Sequence, residues 1–189
     1  MDESFELEAL KAQVVALYTY AKYYNFEVSA TGNAYGKTPG EKAYKAVDAV
    51  LGYYLTYNGD TALTPFHSTS AGKTTSYYNV WGGTELPYLA GGRPSYSDYE
   101  ATDFQTAYSI KSEELKNLVD SRCNIELSGD PSTWISVISH DGCIDANTGY
   151  VYSVSVGGTM FTGYKFRNEV MDGVLRSHCF KILYTPDPA

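Results

Sequence analysis

Near the start of the chain, Leu7, Leu10, Val14, Leu17, Ala21 and Tyr24 recur at three- and four-residue spacing. That spacing places them on one face of a helix. Ser4 stands where an N-cap belongs, and Glu6 and Glu8 fall in the first turn, where the helix dipole favours carboxylates. The pattern predicts a helix from Phe5 to Tyr24, about 30 Å long. Ala9, Ala12, Ala16 and Ala21 make its middle slim enough for another element to approach closely.

Gly32, Gly36, Pro39 and Gly40 mark a loop, after which a short helix from Glu41 to Val50 is expected to turn Ala43, Ala46, Val47 and Val50 inward. Tyr53 to Tyr57 reads as a strand. Asn58-Gly59 is the strongest hairpin signal in the chain, with Thr61 to His67 as the partner strand. From Ser68 to Gly92 no period is sustained, so the segment reads as a long ordered loop, uncommon at that length unless functional.

Further on, Phe104 to Ile110 reads as a strand. Ser112 reads as an N-cap for a helix from Glu113 to Asp120 that buries Leu115 and Leu118. Trp134 to Ser139 and Val151 to Val156 alternate as strands, and Gly157-Gly158 turns the chain into Thr159 to Phe161. A helix from Tyr164 to Met171, carrying Lys165 and Arg167 early, and a strand from Cys179 to Tyr184 complete the pattern. Helices followed by antiparallel hairpins give an α+β fold, a long N-terminal helix packed on antiparallel strands and hairpins with further short helices. At 189 residues the expectation is one domain over 1–189 with a smaller lobe around 95–150.

Charge narrows the partners. Fourteen Lys and Arg against 22 Asp and Glu give a formal charge of −8. A phosphate backbone needs a basic stripe, so no nucleic acid is expected as partner. No run of 18 apolar residues is present, so no membrane-spanning segment is expected, and no export signal is seen at the start. Nineteen tyrosines join an apolar ring to a hydroxyl many times over, which suits both wet sheet faces and carbohydrate grooves.

The candidate chemistry is sparse. Cys123, Cys143 and Cys179 form no CxxC pair, which argues against an all-cysteine zinc site. They read as small buried hydrophobes, with one disulfide and a spare thiol as the alternative. Gly72-Lys73-Thr74 invites a phosphate-loop reading, but His67 occupies the position where that motif needs its leading glycine. His67 is still the histidine of most interest, because it ends a predicted strand and opens the long polar loop. His140 and His178 read as packing or surface residues. A glycan-cleaving site needs a carboxylic acid whose pKa is raised by burial. Glu8 is the internal candidate, if Phe5 and Leu7 shield it; a solvated first-turn glutamate is the alternative.

Several blocks together resemble one family. Glu8 to Ala21, reading EALKAQVVALYTYA, is similar to the signature helix of the SpoIID/LytB family of peptidoglycan-acting proteins. Ala46-Val47 through Gly52, then Leu55, Tyr57, Asn58 and Gly59, resemble its helix, strand and NG turn. Phe66 to Thr74, Val80-Trp81-Gly82 and Pro87-Tyr88-Leu89 resemble its next loop. Val156 to Gly158, Phe161 to Arg167 and Leu175-Arg176-Ser177 resemble its closing pattern.

The resemblance implies action on peptidoglycan glycan strands, outside the cytoplasm, in the cell wall or forespore envelope. One form is lytic-transglycosylase-like cleavage of strands lacking stem peptides; the alternative is a non-catalytic peptidoglycan-binding or amidase-enhancer module, with a cell-wall amidase as partner. It implies no nucleotide or redox cofactor. Glu8 is the candidate catalytic residue within the chain. His67, Ser70, Lys73, Thr74, Trp81 and Arg176 are the substrate-binding candidates, the first five lining an elongated groove past the start of the first helix.

Departures from the family qualify this. Its catalytic glutamate sits in a Glu-Met-Pro segment ahead of the signature helix. In register, the Met falls on Met1 and the Pro on Asp2, placing the glutamate before Met1. Tyr18 stands where the family has an arginine. Both departures predict an impaired chain. Some members carry zinc near the loop after the His67 position with the help of cysteines; Lys73 and the lack of cysteine there predict no metal.

Overall fold

The computed structural model describes residues 3–28 and 38–186. The loop expected at Gly32 and Gly36 lies outside them. The fold is α+β, and the chain divides into two compact units, Met1–Ser68 and Thr69–Ala189.

In the first unit, α1 (Leu7–Tyr23) and α2 (Glu41–Ala49) pack together, and a hairpin of β1 (Thr56–Tyr57) and β2 (Asp60–Thr61) follows. Asn58 and Gly59 take φ of 52° and 92°. Two successive positive values make the type I′ turn whose twist matches paired strands. Both strands are shorter than expected: β2 ends at Thr61, so His67 does not end a strand.

The N-cap of α1 is Glu6, without a side-chain cap bond, and Ser4 does not serve. The expected apolar stripe on α1 is also corrected. Leu10 and Thr19 are the buried positions, while Leu17 and Tyr24 are exposed. A hydroxyl is buried here because it is fully used. Thr19 donates to the carbonyl of Val15 at 2.6 Å and accepts from the amide of Leu55 at 3.0 Å. Thr64 donates to the carbonyl of Ala16 at 2.8 Å, an approach that the small residues of α1 permit. In α2 only Ala46 is fully buried, and Val47 is exposed.

The second unit holds the larger core. β3 (Ile135–His140), β4 (Gly149–Val156) and β5 (Thr159–Phe161) form an antiparallel sheet in that order, and β6 (Cys179–Phe180) pairs with the start of β4. Gly157 and Gly158 take the positive φ that the tight β4–β5 turn requires. Val151, Val154 and Val156 of β4 pack with Val119, Leu127, Trp134, Phe166, Val170 and Met171. Trp134 buries its indole without an orphaned donor, because Nε1 donates to the carbonyl of Ser128 at 2.9 Å.

Helix α4 (Ser112–Cys123) begins one residue earlier than expected, so Ser112 is inside it and Lys111 is the N-cap. Its inward anchor is Val119, with Leu115 and Leu118 half-buried. The helix expected from Tyr164 is a single turn, α5 (Gly163–Lys165), running into a π-helical turn over Phe166–Val170. The wider turn is closed by the amide of Met171 donating to the carbonyl of Phe166 at 2.9 Å.

One expected strand fails for lack of a partner and another is cut short. Residues 105–110 stay largely exposed with no ladder beside them. β6 stops at Phe180, which already faces Gly149, the first residue of β4, so residues 181–184 have nothing opposite. The long loop from Ser68 to Gly92 is not structureless either. It contains α3 (Tyr77–Trp81) and a 3-10 turn at Pro87–Leu89.

Candidate functional site

The segment Ser70 to Thr74 is fixed largely through its backbone. The amide and hydroxyl of Ser70 both donate to Asp98, at 2.8 and 2.5 Å, and Ser70 is buried. The amide of Ala71 donates to the hydroxyl of Tyr150 at 3.0 Å, and that hydroxyl donates onward to the carbonyl of Lys73 at 3.0 Å. The amide of Thr74 donates to the carbonyl of Arg93 at 2.9 Å, and the amide of Gly92 returns a bond to the carbonyl of Thr74 at 2.8 Å. The Thr74 hydroxyl oxygen accepts from the amide of Arg93 at 3.2 Å.

Gly72 is favoured by its backbone, and a side chain there would also push the Tyr99 ring aside. Its φ is +83°, and a Cβ there would sit 2.2 Å from the hydroxyl of Tyr99. A phosphate loop works by aiming free amides at the ligand. Here the amides of Ser70, Ala71 and Thr74 are already donated within the protein.

Tyr150 stays a neutral phenol to high pH. Burial is the main cause pushing its pKa up, to about 12. Lys73 reaches towards Asp141, with Nζ 4.0 Å from the carboxylate. Asp141 in turn accepts from the amides of Cys143 and Tyr150 at 3.0 and 2.9 Å.

An open cleft of about 360 Å³ lies between α3 and α5. Trp81 is its most distinctive wall. α3 is capped by Ser76, whose hydroxyl accepts from the amide of Asn79 at 3.2 Å, and it ends at Gly82, with φ of 74°. The indole packs on Tyr77 at 5.0 Å and edge-on against Tyr164 at 6.1 Å between ring centres, yet remains 48% exposed. Tyr78 and Tyr152 add further rings, and Lys165 and Glu169 place one charge of each sign at the cleft. Burial raises the Tyr152 phenol, so it too stays protonated. Apolar faces ringed by hydroxyls and a few charges suit a polar ring-shaped ligand with C–H faces.

The candidates read from the sequence fall in both units. Of those in the second unit, only Trp81 lines the cleft. Ser70, Lys73 and Thr74 form the braced segment just described, and Arg176 is exposed after the π-helical turn and does not line the cleft. His67 belongs to the first unit, where it is exposed. Glu8 is also in the first unit. Its side chain is 81% exposed and pairs with Lys11 at 2.6 Å. Phe5 is itself half exposed, so the apolar shielding expected around Glu8 is missing. The positions of Met1 and Asp2 lie outside the described residues.

The cleft residues that sequence reading did not single out are Tyr78, Tyr152, Tyr164, Lys165 and Glu169. For the tyrosines the compositional signal is the heavy tyrosine loading, which points to no particular residue, and Tyr164 and Lys165 fall in the Phe161–Arg167 block that resembles the family. Among the described residues, no three His, Cys, Asp or Glu side chains gather to hold a metal ion, and no helix is long and apolar enough to cross a membrane.

No protein-family model matches the chain. It is distantly similar to the amidase enhancer of Bacillus subtilis (strain 168), with 28% identity over 151 residues, 75% of this chain. The chain spans 19% of that protein's length.

Proposed function

We propose that this chain is a peptidoglycan-recognising module that binds glycan strands, and that it works outside the cytoplasm in support of a cell-wall amidase. The observation that carries the reading is the half-exposed indole of Trp81, set against Tyr164 in an open cleft with hydroxyls and charges around it. An indole held rigid but half uncovered offers its face to the C–H side of a sugar ring at little entropic cost. The likeness to an amidase enhancer supports the choice of wall glycan over other carbohydrate.

The two tryptophans give a direct test. Trp81 is open and Trp134 is buried in the core, so ligand-dependent fluorescence reports on Trp81. Titration with glycan strands freed of stem peptides is expected to give a saturable change. Trp81→Ala should abolish the signal and weaken binding, followed by co-sedimentation, at least about ten-fold. Absence of saturable binding by the unaltered chain sinks the reading.

A second reading, lytic-transglycosylase-like cleavage of the same strands, draws on the Glu8–Ala21 and Phe66–Thr74 blocks that resemble the SpoIID/LytB pattern. That chemistry needs an acid held protonated near the glycosidic oxygen. Glu8, solvated and paired with Lys11, is poorly placed to be it. In this reading the proton donor is another residue. Release of anhydro-sugar ends from stem-peptide-free strands that is unchanged by Glu8→Gln would favour it.

A further inference from the structure

Cys143 and Cys179 are 36 residues apart in the chain, and their sulfurs stand 4.0 Å apart. Both are half-buried free thiols. Two features bring them together. Asp141 accepts from the amides of both Cys143 and Tyr150, which folds the loop after β3 back on the start of β4. β6 then lays Cys179 directly opposite Tyr150 on β4. Cys179 is held there by its own amide donating to the Ser177 hydroxyl at 3.0 Å. A disulfide needs its sulfurs at about 2.05 Å, so the two side chains have only about 2 Å left to close.

We propose that Cys143 and Cys179 are a disulfide-forming pair, a covalent staple between the β3–β4 loop and β6, with Cys123 remaining a thiol. The co-reactant is a disulfide, either a small molecule or a protein. One cysteine attacks it as the thiolate and releases half of it as a thiol. The second cysteine then attacks the mixed disulfide, forming the Cys143–Cys179 bond and releasing the other half. The protein loses two S–H protons and two electrons, and the oxidant ends as two thiols.

Burial pushes both thiols up, Cys179 further than Cys143. The exchange therefore runs faster at alkaline pH. The staple sits beside Tyr150, whose hydroxyl clasps Ala71 and Lys73. Closing it fixes the support of the Ser70–Thr74 segment. Cys123 ends α4 and packs against the hydrophobic core.

The test equilibrates the reduced chain with a glutathione mixture rich in the oxidised form. Free thiols are then counted by maleimide mass tagging in denaturant, and the linked peptides are mapped. The expected result is one remaining thiol on Cys123, a Cys143–Cys179 peptide, and a melting temperature higher by about 10 °C that dithiothreitol reverses. Cys123→Ser should keep the shift, while Cys143→Ser and Cys179→Ser should each lose it. Three free thiols in the equilibrated wild-type chain, glutathione adducts alone, or a linked peptide containing Cys123 would overturn the assignment. The wild-type map decides the matter even if a serine variant fails to fold. Nothing in the assay depends on glycan binding.

Discussion

The hydroxyl of Tyr150 donates to the carbonyl of Lys73 at 3.0 Å while accepting the amide of Ala71 at the same distance. One phenol on β4 thus holds a segment nearly eighty residues earlier in the chain by its backbone. Tyr150→Phe removes both bonds and leaves a partly buried amide and carbonyl unpaired. The expected cost is about 1–3 kcal/mol in urea unfolding, with faster amide exchange over 70–74. The pKa of Tyr150 is raised to about 12 in the fold against about 10 when unfolded. Its contribution is complete below pH 10 and is lost as pH climbs from 10 towards 12. The Phe variant should lack that alkaline loss.

His178 gives the opposite sign at acid pH. Burial first, and then the nearby Arg167 charge, lower its pKa to about 4, and its Nε2 finds no hydrogen-bond partner among the described residues. Between pH 6.5 and 4 the unfolded chain binds a proton that the folded chain refuses. Stability therefore falls as pH drops through that window, by up to about 3 kcal/mol. Urea midpoints measured from pH 7 to 4 should show a steeper fall for the wild-type chain than for His178→Phe. Equal slopes would mean that His178 is not buried in its neutral form.

Gly59 and Gly163 separate two reasons for glycine. At Gly59 a Cβ would meet nothing within 4 Å, and only the φ of +92° opposes a side chain. Gly59→Ala should cost about 1–2 kcal/mol through backbone strain. At Gly163 a Cβ would lie 2.2 Å from the carbonyl oxygen of Val151 and 2.9 Å from its Cβ. Gly163→Ala should cost about 1–3 kcal/mol by forcing α5 off β4. It should also disturb the Trp81–Tyr164 contact, read as a change in Trp81 fluorescence that Gly59→Ala does not produce.

Glu8→Gln tests a carboxylate that sequence reading put forward. An exposed pair three residues apart on a helix contributes little, so stability should move by less than about 0.5 kcal/mol. Glycan binding should be unchanged. A large loss of binding or of strand cleavage would restore Glu8 as a functional residue.

Local rules determined what local forces control. The helix at Leu7–Tyr23, the hairpin at Asn58-Gly59, the turn at Gly157-Gly158 and the strand at Thr159–Phe161 were all legible in the sequence, because spacing and turn chemistry act within a few residues. The α+β class followed from their order. Which side chains are buried was another matter. Thr19 displaced Leu17 at the buried face of α1 because Leu55 and Val15 satisfy its hydroxyl, and no periodicity reports a partner 36 residues away. Strand lengths behaved likewise, since a ladder ends where its neighbour ends, as β6 does opposite Gly149. The cleft residues come from α3, β4, α5 and the π-helical turn, and only the tertiary fold brings Trp81, Tyr152, Tyr164 and Glu169 together. The sequence carried the aromatic residues themselves, but their convergence is long-range geometry, set by packing around Val151, Val154 and Phe166.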